Sequence, residues 1–264
     1  MKKILLVSLV VSVLLSSCRT VPITGRSQLS LVSSSTLLST SYQQYSQFLK
    51  ENKLSADSVS TSLVRKVGTN IQKAVERYYQ ESNMLDQLAD YRWEFNLVES
   101  KDVNAWCMPG GKVVVYTGIL PITKDEPGLA VVMGHEVAHA IAEHGAERMS
   151  HEIAAQAAGT ALDVTLQNNS QQTRELWMTA FNVGAQYGAL LPFSREHESE
   201  ADKLGLVFMT MAGYDPNVAV GFWERMAAGK GGSAPPEFIS THPSDQTRIQ
   251  DIKAYIPEAL KYKR

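Results

Sequence analysis

The stretch V-V-M-G-H-E-V-A-H-A-I-A-E-H, from Val131 to His144, sets two histidines and a glutamate inside an apolar run. Residues 129–142 are apolar on almost every side, which predicts a buried helix. Residues four apart lie on one face of a helix, so His135 and His139 can each turn an imidazole nitrogen toward a single Zn²⁺. Glu136 can reach the metal's bound water without being a ligand, as the general base of a hydrolytic site must.

A second segment, S-R-E-H-E-S-E-A-D from Ser194 to Asp202, is dense in metal-binding side chains. At about 100° per residue, Glu198 and Asp202 share a helix face that carries apolar residues further along and therefore points inward. The opposite face is predicted to carry Glu196, Glu200 and Lys203. Burying an unpaired carboxylate costs several kcal/mol, so an inward pair needs a metal, a base or a hydrogen-bond network.

Zinc would meet that need, with Glu198 as the third ligand and a fourth position open for water. Asp202, one turn on, is expected to accept the second N–H of a ligand histidine and to fix its ring orientation. On the residues alone, the alternative is a solvated helix face for the two carboxylates and ordinary core positions for the two histidines. His144 and His151 are expected to stay outside the site.

The composition fits one sizeable globular core without a nucleic-acid signature. The chain has 264 residues, 44% of them hydrophobic, and a formal net charge of -2. Nothing in the charge pattern resembles a basic arm or stripe, so we expect no nucleic-acid partner.

The first 17 residues read as an export signal. Lys2 and Lys3 precede the apolar run Ile4 to Leu15, which is too short to cross a bilayer comfortably as a mature helix. The run ends in Leu-Ser-Ser-Cys18, which resembles the bacterial lipobox and implies a lipidated cysteine. The alternative is an ordinary secretory signal with a coincidental cysteine.

The residues beside Cys18 refine this expectation. Arg19 stands where lipoproteins retained in the inner membrane usually carry Asp, so the resemblance implies an outer-membrane anchor. With Cys18 lipidated, Cys107 is the remaining thiol and no intramolecular disulfide is possible.

Hydrophobic periodicity predicts a mainly helical α+β domain over residues 56–264, preceded by a tether and covering segment at 18–55. The loop at 229–243 is rich in Gly, Ser and Pro and is expected to act as a lid. Helices are expected at 42–51, 64–78, 129–142, 153–164, 174–190, 195–212, 216–228 and 244–260. Strands are expected at 91–97, 104–107 and 112–116, in a small meander turned at Pro109-Gly110-Gly111.

Several motifs together resemble the gluzincin metallopeptidases of the family that contains the CaaX prenyl endopeptidase and HtpX, and within it periplasmic lipoprotein members such as LoiP and BepA. They are V-P-I-T-G-R-S-Q-L (Val21 to Leu29), N-A-W-C-M-P-G-G (Asn104 to Gly111), H-E-V-A-H, S-R-E-H-E-S-E-A-D, and T-H-P (Thr241 to Pro243) followed by Arg248. The resemblance implies a zincin-like domain whose third ligand is the Glu of E-x-x-x-D, which is Glu198.

The resemblance also implies roles outside the ligand set. The segment Asn104, Ala105 and Trp106 would be an edge strand that pairs with an extended peptide substrate. His242 and Arg248 would face the zinc and either stabilise the oxyanion or gate the metal. From the residues alone, the histidine before proline reads as an ordinary surface residue, and the arginine as the partner of a helix acid.

The sequence therefore predicts a metalloendopeptidase with one Zn²⁺ per chain, acting on unfolded or misassembled envelope proteins. Its lipid anchor at Cys18 would hold it at the bacterial outer membrane facing the periplasm, with envelope assembly machinery as a further partner. The chain shows no transmembrane pattern like that of the prenyl peptidase or HtpX, so a prenylated substrate does not transfer. Two alternatives stay open: a lipoprotein chaperone or binding module with a latent zinc site, and an aminopeptidase.

Overall fold

The computed structural model describes residues 18–186, 191–228, 238, 242 and 246–263. The predicted export signal and most of the predicted lid, apart from Phe238 and His242, lie outside these residues. Helices dominate and the sheets are small, which confirms the predicted α+β class. Within the described ranges, no helix is long and apolar enough to span a bilayer.

In chain order the strands are β1 (Cys18–Thr20), β2 (Ser27–Leu29), β3 (Glu94–Val98), β4 (Ala105–Met108) and β5 (Lys112–Tyr116). The helices are α1 (Ser34–Glu51), α2 (Ser58–Glu81), α3 (Leu120–Thr123), α4 (Glu126–Ile141), α5 (His144–Thr165), α6 (Gln171–Ala185), α7 (Leu191–Met211), α8 (Val218–Ala228) and α9 (Gln246–Ala259). Short 3₁₀ turns lie at Leu85–Leu88, Thr117–Ile119 and Leu260–Tyr262.

The described residues form two compact units. The first contains residues 18–34 and 143–197, and the second contains residues 35–142 and those from 198 onward. The boundary falls inside α7, between His197 and Glu198.

In the second unit, β5 is the central strand of a sheet with the order β3-β5-β4. β3 runs parallel to β5 and β4 runs antiparallel to it. The predicted meander is therefore wrong, because β3 and β4 are consecutive in the chain but are not neighbours in the sheet. Val113, Val114 and Val115 are all fully buried, and a run buried on both faces is typical of a central strand. β4 is left at one edge.

α1 covers this sheet and is longer than the expected helix at 42–51. Tyr45 of α1 forms a buried cluster with Val98 and Val114, against which Phe48 and Trp106 pack. Ser41 donates its hydroxyl to the carbonyl of Pro109 at 2.6 Å. The segment predicted to cover the domain therefore contributes core residues of its own.

α4 begins three residues before the helix expected at 129–142, with a capped first turn. The Asp125 side chain accepts a hydrogen bond from the N–H of Gly128, and Pro127 lies in the first turn, where its missing N–H costs nothing. Nearly every residue of α4 is buried, which confirms the predicted interior helix.

Glycines let α7 approach α4 very closely. A Cβ atom added at Gly205 would lie 2.9 Å from the backbone nitrogen of His135, and one added at Gly134 would lie 3.0 Å from the carbonyl oxygen of Gly205. The second halves of the two helices therefore pack backbone to backbone, which brings the acidic residues of α7 to the histidines of α4.

In the first unit, α5 begins nine residues before the helix expected at 153. Glu143 adopts a left-handed conformation, with φ of 53°, which ends the helical backbone of α4, and a new helix starts at His144. α6 follows a short polar turn and buries none of its residues. Its exposed side chains include Leu176 and Trp177.

Candidate metal centre

The three predicted metal ligands meet in the second unit and are joined there by His242. Ligand atoms of these four side chains all lie within 4.8 Å of one another. His139 Nε2 is 3.1 Å from His135 Nε2. The Glu198 carboxylate oxygens lie 3.4 Å from His135 Nε2 and 3.3 Å from His139 Nε2.

This donor set fits a divalent cation. Imidazole nitrogens and a carboxylate oxygen are the ligands that zinc takes in catalytic sites. The atoms converge from two helices on one point, where a shared cation would satisfy all of their lone pairs at once. His135 and Glu198 are also buried, so their polar atoms have little access to water.

Asp202 lies where the helical phase of α7 predicts it. Its Oδ1 is 3.0 Å from His135 Nδ1, on the side of the ring away from the cluster. The Arg248 guanidinium binds the same carboxylate with two hydrogen bonds, Nε to Oδ2 at 2.7 Å and Nη2 to Oδ1 at 2.8 Å. Burial opposes ionisation of Asp202, but Arg248 and His135 outweigh it and hold the pKa of Asp202 below its usual range.

Arg248 links this pair to the cluster. Its Nη1 lies 3.0 Å from Glu198 Oε2, and its guanidinium carbon lies 3.7 Å from the centre of the Trp223 ring. Arg248 therefore pairs with two acids of α7, rather than with the single helix acid expected from the residues alone.

Glu136 is buried beside the cluster. Among the described residues, no group donates a hydrogen bond to its Oε1, and His242 Nε2 lies 3.5 Å from this oxygen. Burial raises the pKa of Glu136 to about 7; the charge of Glu198 adds to this, while His242 and Arg248 oppose it. A carboxyl group with a pKa near neutrality can both accept and return a proton.

His242 is closer to the predicted ligands than sequence reasoning indicates. Its Nδ1 lies 3.0 Å from both carboxylate oxygens of Glu198 and 3.2 Å from His135 Nε2. Its backbone N–H donates to the carbonyl of Phe238 at 2.8 Å. The T-H-P motif marks His242 as a residue of interest, but no periodicity in this loop predicts where its ring lies.

The N-A-W segment lies at the edge of the sheet as expected. Asn104 precedes β4 and accepts the N–H of Ala105 on its side-chain oxygen at 2.8 Å. Ala105 and Trp106 pair with Val115 and Val114 on the inner side of the strand. The Trp106 ring packs on Phe48 at a centroid distance of 4.8 Å, so the Trp106 side chain packs against the buried cluster around Tyr45.

One expectation for a neighbouring residue needs correction. Glu200 is buried rather than turned to solvent, as are Glu198 and Asp202, so burial on this helix is not confined to the predicted inward face. His144 is not part of the four-residue cluster, in keeping with the expectation; it is buried in the first unit, where its ring stacks on that of His197 with the centroids 4.3 Å apart.

The first unit holds a buried ionic network that sequence reasoning missed. Both oxygens of Glu147 accept hydrogen bonds from Arg26, at 2.8 and 2.6 Å, and its Oε2 lies 2.8 Å from His197 Nε2. Burial alone would raise the pKa of Glu147, but Arg26 and His197 lower it to about 2. Arg26 belongs to the motif at 21–29, which is the one signal that could have marked it.

An H-E-x-x-H helix with a glutamate from a second helix and an edge strand defines a metallopeptidase domain of the zincin type. The chain belongs to peptidase family M48, since the profile described as "Peptidase family M48" matches residues 65–256. This confirms the family-level assignment made from the motifs.

Similar proteins include the "Mitochondrial metalloendopeptidase OMA1" of Schizosaccharomyces pombe, 39% identical over 70% of this chain and 53% of the relative. The "Metalloendopeptidase OMA1, mitochondrial" of Bos taurus is 31% identical over 91% of this chain and 46% of the relative. The "Beta-barrel assembly-enhancing protease" of Escherichia coli K12 is 28% identical over 61% of this chain and 34% of the relative. The chain spans about half the length of the first two relatives.

Proposed function

We propose that this chain is a zinc-dependent endopeptidase, with His135, His139 and Glu198 as ligands of one Zn²⁺ and Glu136 as the general base. The observation that carries the proposal is the convergence of these donor atoms within 4.8 Å, with the buried Glu136 carboxylate beside them. Zinc bound there would polarise the scissile carbonyl and lower the pKa of a bound water.

In the proposed mechanism Glu136 takes a proton from the attacking water and later delivers it to the leaving amine. Its pKa of about 7 suits both transfers. Asp202 accepts the Nδ1 proton of His135, which fixes the tautomer that directs the Nε2 lone pair into the cluster. Arg248 is assigned a positioning role, since it holds both Asp202 and Glu198.

For His242 we propose the gating role rather than oxyanion stabilisation. Its Nδ1 lies within 3.2 Å of both Glu198 and His135, at the position of a fourth donor that would compete with water for the metal. A fourth donor in place of the water also favours the rival function, a lipoprotein chaperone or binding module, because it would leave the zinc site latent.

We propose that substrates are extended polypeptides that add as a strand to β4, with Asn104, Ala105 and Trp106 supplying backbone groups. The edge position of β4 supports this, because main-chain pairing is tolerant of substrate sequence. Unfolded or misassembled envelope proteins are the proposed natural substrates. The similarity to the Beta-barrel assembly-enhancing protease supports this class and envelope assembly machinery as a partner.

The proposed location is the outer membrane facing the periplasm, where a lipidated Cys18 would anchor the chain. The lipobox-like ending of the predicted signal supports it, whereas the relatives named OMA1 are mitochondrial. Metabolic labelling with a palmitate analogue tests the anchor, with Cys18→Ser as control. The division into residues 1–17, 18–55 and 56–264 stays a prediction.

Glu136→Gln tests the central proposal. The variant should keep its zinc and its fold and lose roughly 10²–10⁴-fold in the rate of casein cleavage, because the base is removed while the ligands stay. Glu152→Gln, an exposed change on α5, is the matched control and should cleave like the wild type. Unchanged cleavage by Glu136→Gln would sink the proposed mechanism.

His242→Ala and blocked peptides separate the alternatives. A gating histidine predicts faster cleavage by His242→Ala, whereas an oxyanion donor predicts a loss. An aminopeptidase would cleave peptides with a free amino terminus and spare acetylated ones, while an endopeptidase cleaves both at internal bonds.

A further inference from the structure

Phe238 is a fully buried side chain beside the candidate metal centre, and no step of the proposed mechanism uses it. Its ring centroid lies 4.6 Å from that of His242, 6.0 Å from that of Trp223 and 6.4 Å from that of His135. A large apolar group therefore fills a space whose walls are a predicted zinc ligand, a neighbouring histidine and an indole.

The backbone of Phe238 is tied to the start of the proposed substrate-binding strand. Its N–H donates to the carbonyl of Val103 at 3.1 Å. Val103 directly precedes Asn104 and β4. A substrate strand added to β4 would bind the main-chain groups of β4 and of the residues just before it. The hydrogen bond from Phe238 to Val103 is therefore of the kind that a substrate residue would make.

Two of the walls around the Phe238 ring, Trp223 and His135, are held in place by their neighbours. Trp223 is buried, and its indole lies against the Arg248 guanidinium, which is itself held by two hydrogen bonds to Asp202. His135 is held by Asp202 as well. These two walls would keep their positions if the Phe238 side chain left the space between them.

We infer that the space filled by Phe238 is a substrate subsite for one large apolar side chain, aromatic or long aliphatic, and that Phe238 is its resident competitor. The inference rests on the proposed peptidase function and names a feature of its substrates. A side chain of the same class regains the apolar burial that Phe238 gives up, whereas a charged one would lose its hydration against aromatic walls. The competitor lowers the apparent affinity for every substrate that needs the space.

Peptide binding without catalysis tests the subsite directly. The protein carries Glu136→Gln, with or without Phe238→Ala, and is titrated against fluorescein-labelled, acetylated Ala-Ser peptides that differ at one position: Phe, Leu, Ala or Asp. We expect Phe238→Ala to tighten the Kd of the Phe and Leu peptides about tenfold and to leave the Ala and Asp peptides unchanged. Phe238→Leu, which keeps most of the packing, should give a smaller shift in the same direction.

Equal tightening for all four peptides would overturn the inference, because it would make Phe238 a general obstruction. No tightening in either variant would overturn it too, because Phe238 would then be an ordinary core residue. Phe181→Ala in α6 is the matched control, a phenylalanine removed in the other unit, and should shift none of the four.

Cleavage provides the second measurement. Wild type and Phe238→Ala digest unfolded casein, and mass spectrometry of the new termini locates each cut. Large apolar residues should be enriched at one fixed position relative to the cut, and Phe238→Ala should speed those cuts more than others. If neither protein cleaves, the peptidase proposal fails while the binding titration still decides the subsite.

Discussion

At the scale of single residues, Asp202 shows how one buried carboxylate organises a candidate metal centre without being a predicted ligand. It binds Nδ1 of His135 and two nitrogens of Arg248, so its charge is compensated on both sides. Losing a carboxylate that orients a ligand histidine usually weakens metal binding 10–100-fold. Its position one turn after Glu198 on α7 makes both residues part of one rigid element.

Asp202→Asn is therefore expected to lower zinc affinity about 10–100-fold, because the amide leaves Arg248 less well compensated and weakens the hold on His135. Competition with a chromophoric chelator measures the affinity. Asp251→Asn, an exposed carboxylate on α9, is the control and should bind zinc like the wild type. Equal zinc affinities for the wild type and Asp202→Asn would contradict the proposal that Asp202 orients His135.

Glu147 gives a prediction about acid stability that is independent of the metal. Its pKa in the folded protein is about 2, below the ordinary value of 4.5, since Arg26 and His197 favour the ionised form. A depressed carboxyl pKa contributes stability that is present above the unfolded value and lost as the pH falls toward the folded one. The shift corresponds to about 3 kcal/mol as an order of magnitude.

Glu147→Gln should therefore lower the free energy of unfolding at pH 7, and the deficit against the wild type should shrink as the pH falls from about 5 toward 3. Urea unfolding at several pH values measures it. Glu152→Gln, an exposed glutamate on the same helix, should show almost no deficit at any pH. A deficit that is constant with pH would mean that shape, not charge, matters at Glu147.

A site residue could be predicted where local spacing in the sequence sets its position, and not where contacts with distant residues do. His135, His139, Glu198 and Asp202 are each set by the phase of their own helix, so spacing in the sequence was sufficient to place each of them on an inward face. Phe238 and His242 come from a segment without periodicity, and their positions depend on contacts with distant residues. Arg26 likewise meets Glu147 across 121 positions of sequence, which no local pattern encodes.

At the scale of elements, the crossing of α4 and α7 decides whether the donors meet. Alanine at position 205 would favour the helix by up to about 1 kcal/mol in intrinsic propensity. Its Cβ, however, would lie 2.9 Å from the His135 backbone nitrogen, where no flexible side chain can yield. The clash should outweigh the propensity, since forcing extra atoms into a packed interior costs roughly 1–3 kcal/mol.

Gly205→Ala is thus expected to destabilise the fold and, by moving α7 away from α4, to weaken zinc binding by about tenfold or more. Thermal unfolding and chelator competition measure the two effects. Gly184→Ala in α6 is the matched control, because nothing lies within 4 Å of its added Cβ, and it should be neutral or slightly stabilising. Wild-type affinity in Gly205→Ala would show that the close crossing is unnecessary.

The sheet marks the limit of pattern reasoning at this scale. Alternation and valine-rich runs predicted three strands close to their observed positions, and the glycine turn predicted the β4–β5 pairing. The parallel pairing of β3 with β5 was missed, because partner choice between strands depends on how the connections cross. Burial on both faces of β5 was the available clue, and it is visible in the run Val113 to Val115.

At the scale of the whole molecule, the candidate ligands join segments that are distant in the chain. His135 and His139 come from α4, Glu198 from α7, and the neighbouring His242 from beyond α8. All four belong to the second unit. A metal bound by the folded protein and not by the unfolded chain adds stability that grows with its concentration, about 4 kcal/mol at 1,000 times the Kd.

Zinc removal should therefore destabilise the second unit in particular. After treatment with a chelator, hydrogen exchange should become faster in peptides from α4, the 198–211 part of α7 and α9, because these segments lose their shared anchor. Peptides from β1, β2 and α5 should change little, since Arg26 and Glu147 hold that unit without the metal. His139→Ala, which removes a predicted ligand, should exchange like the chelated protein with or without zinc. A uniform loss of protection across both units would mean that the metal stabilises the chain as a single cooperative body, and unchanged protection everywhere would argue against a bound ion at these residues.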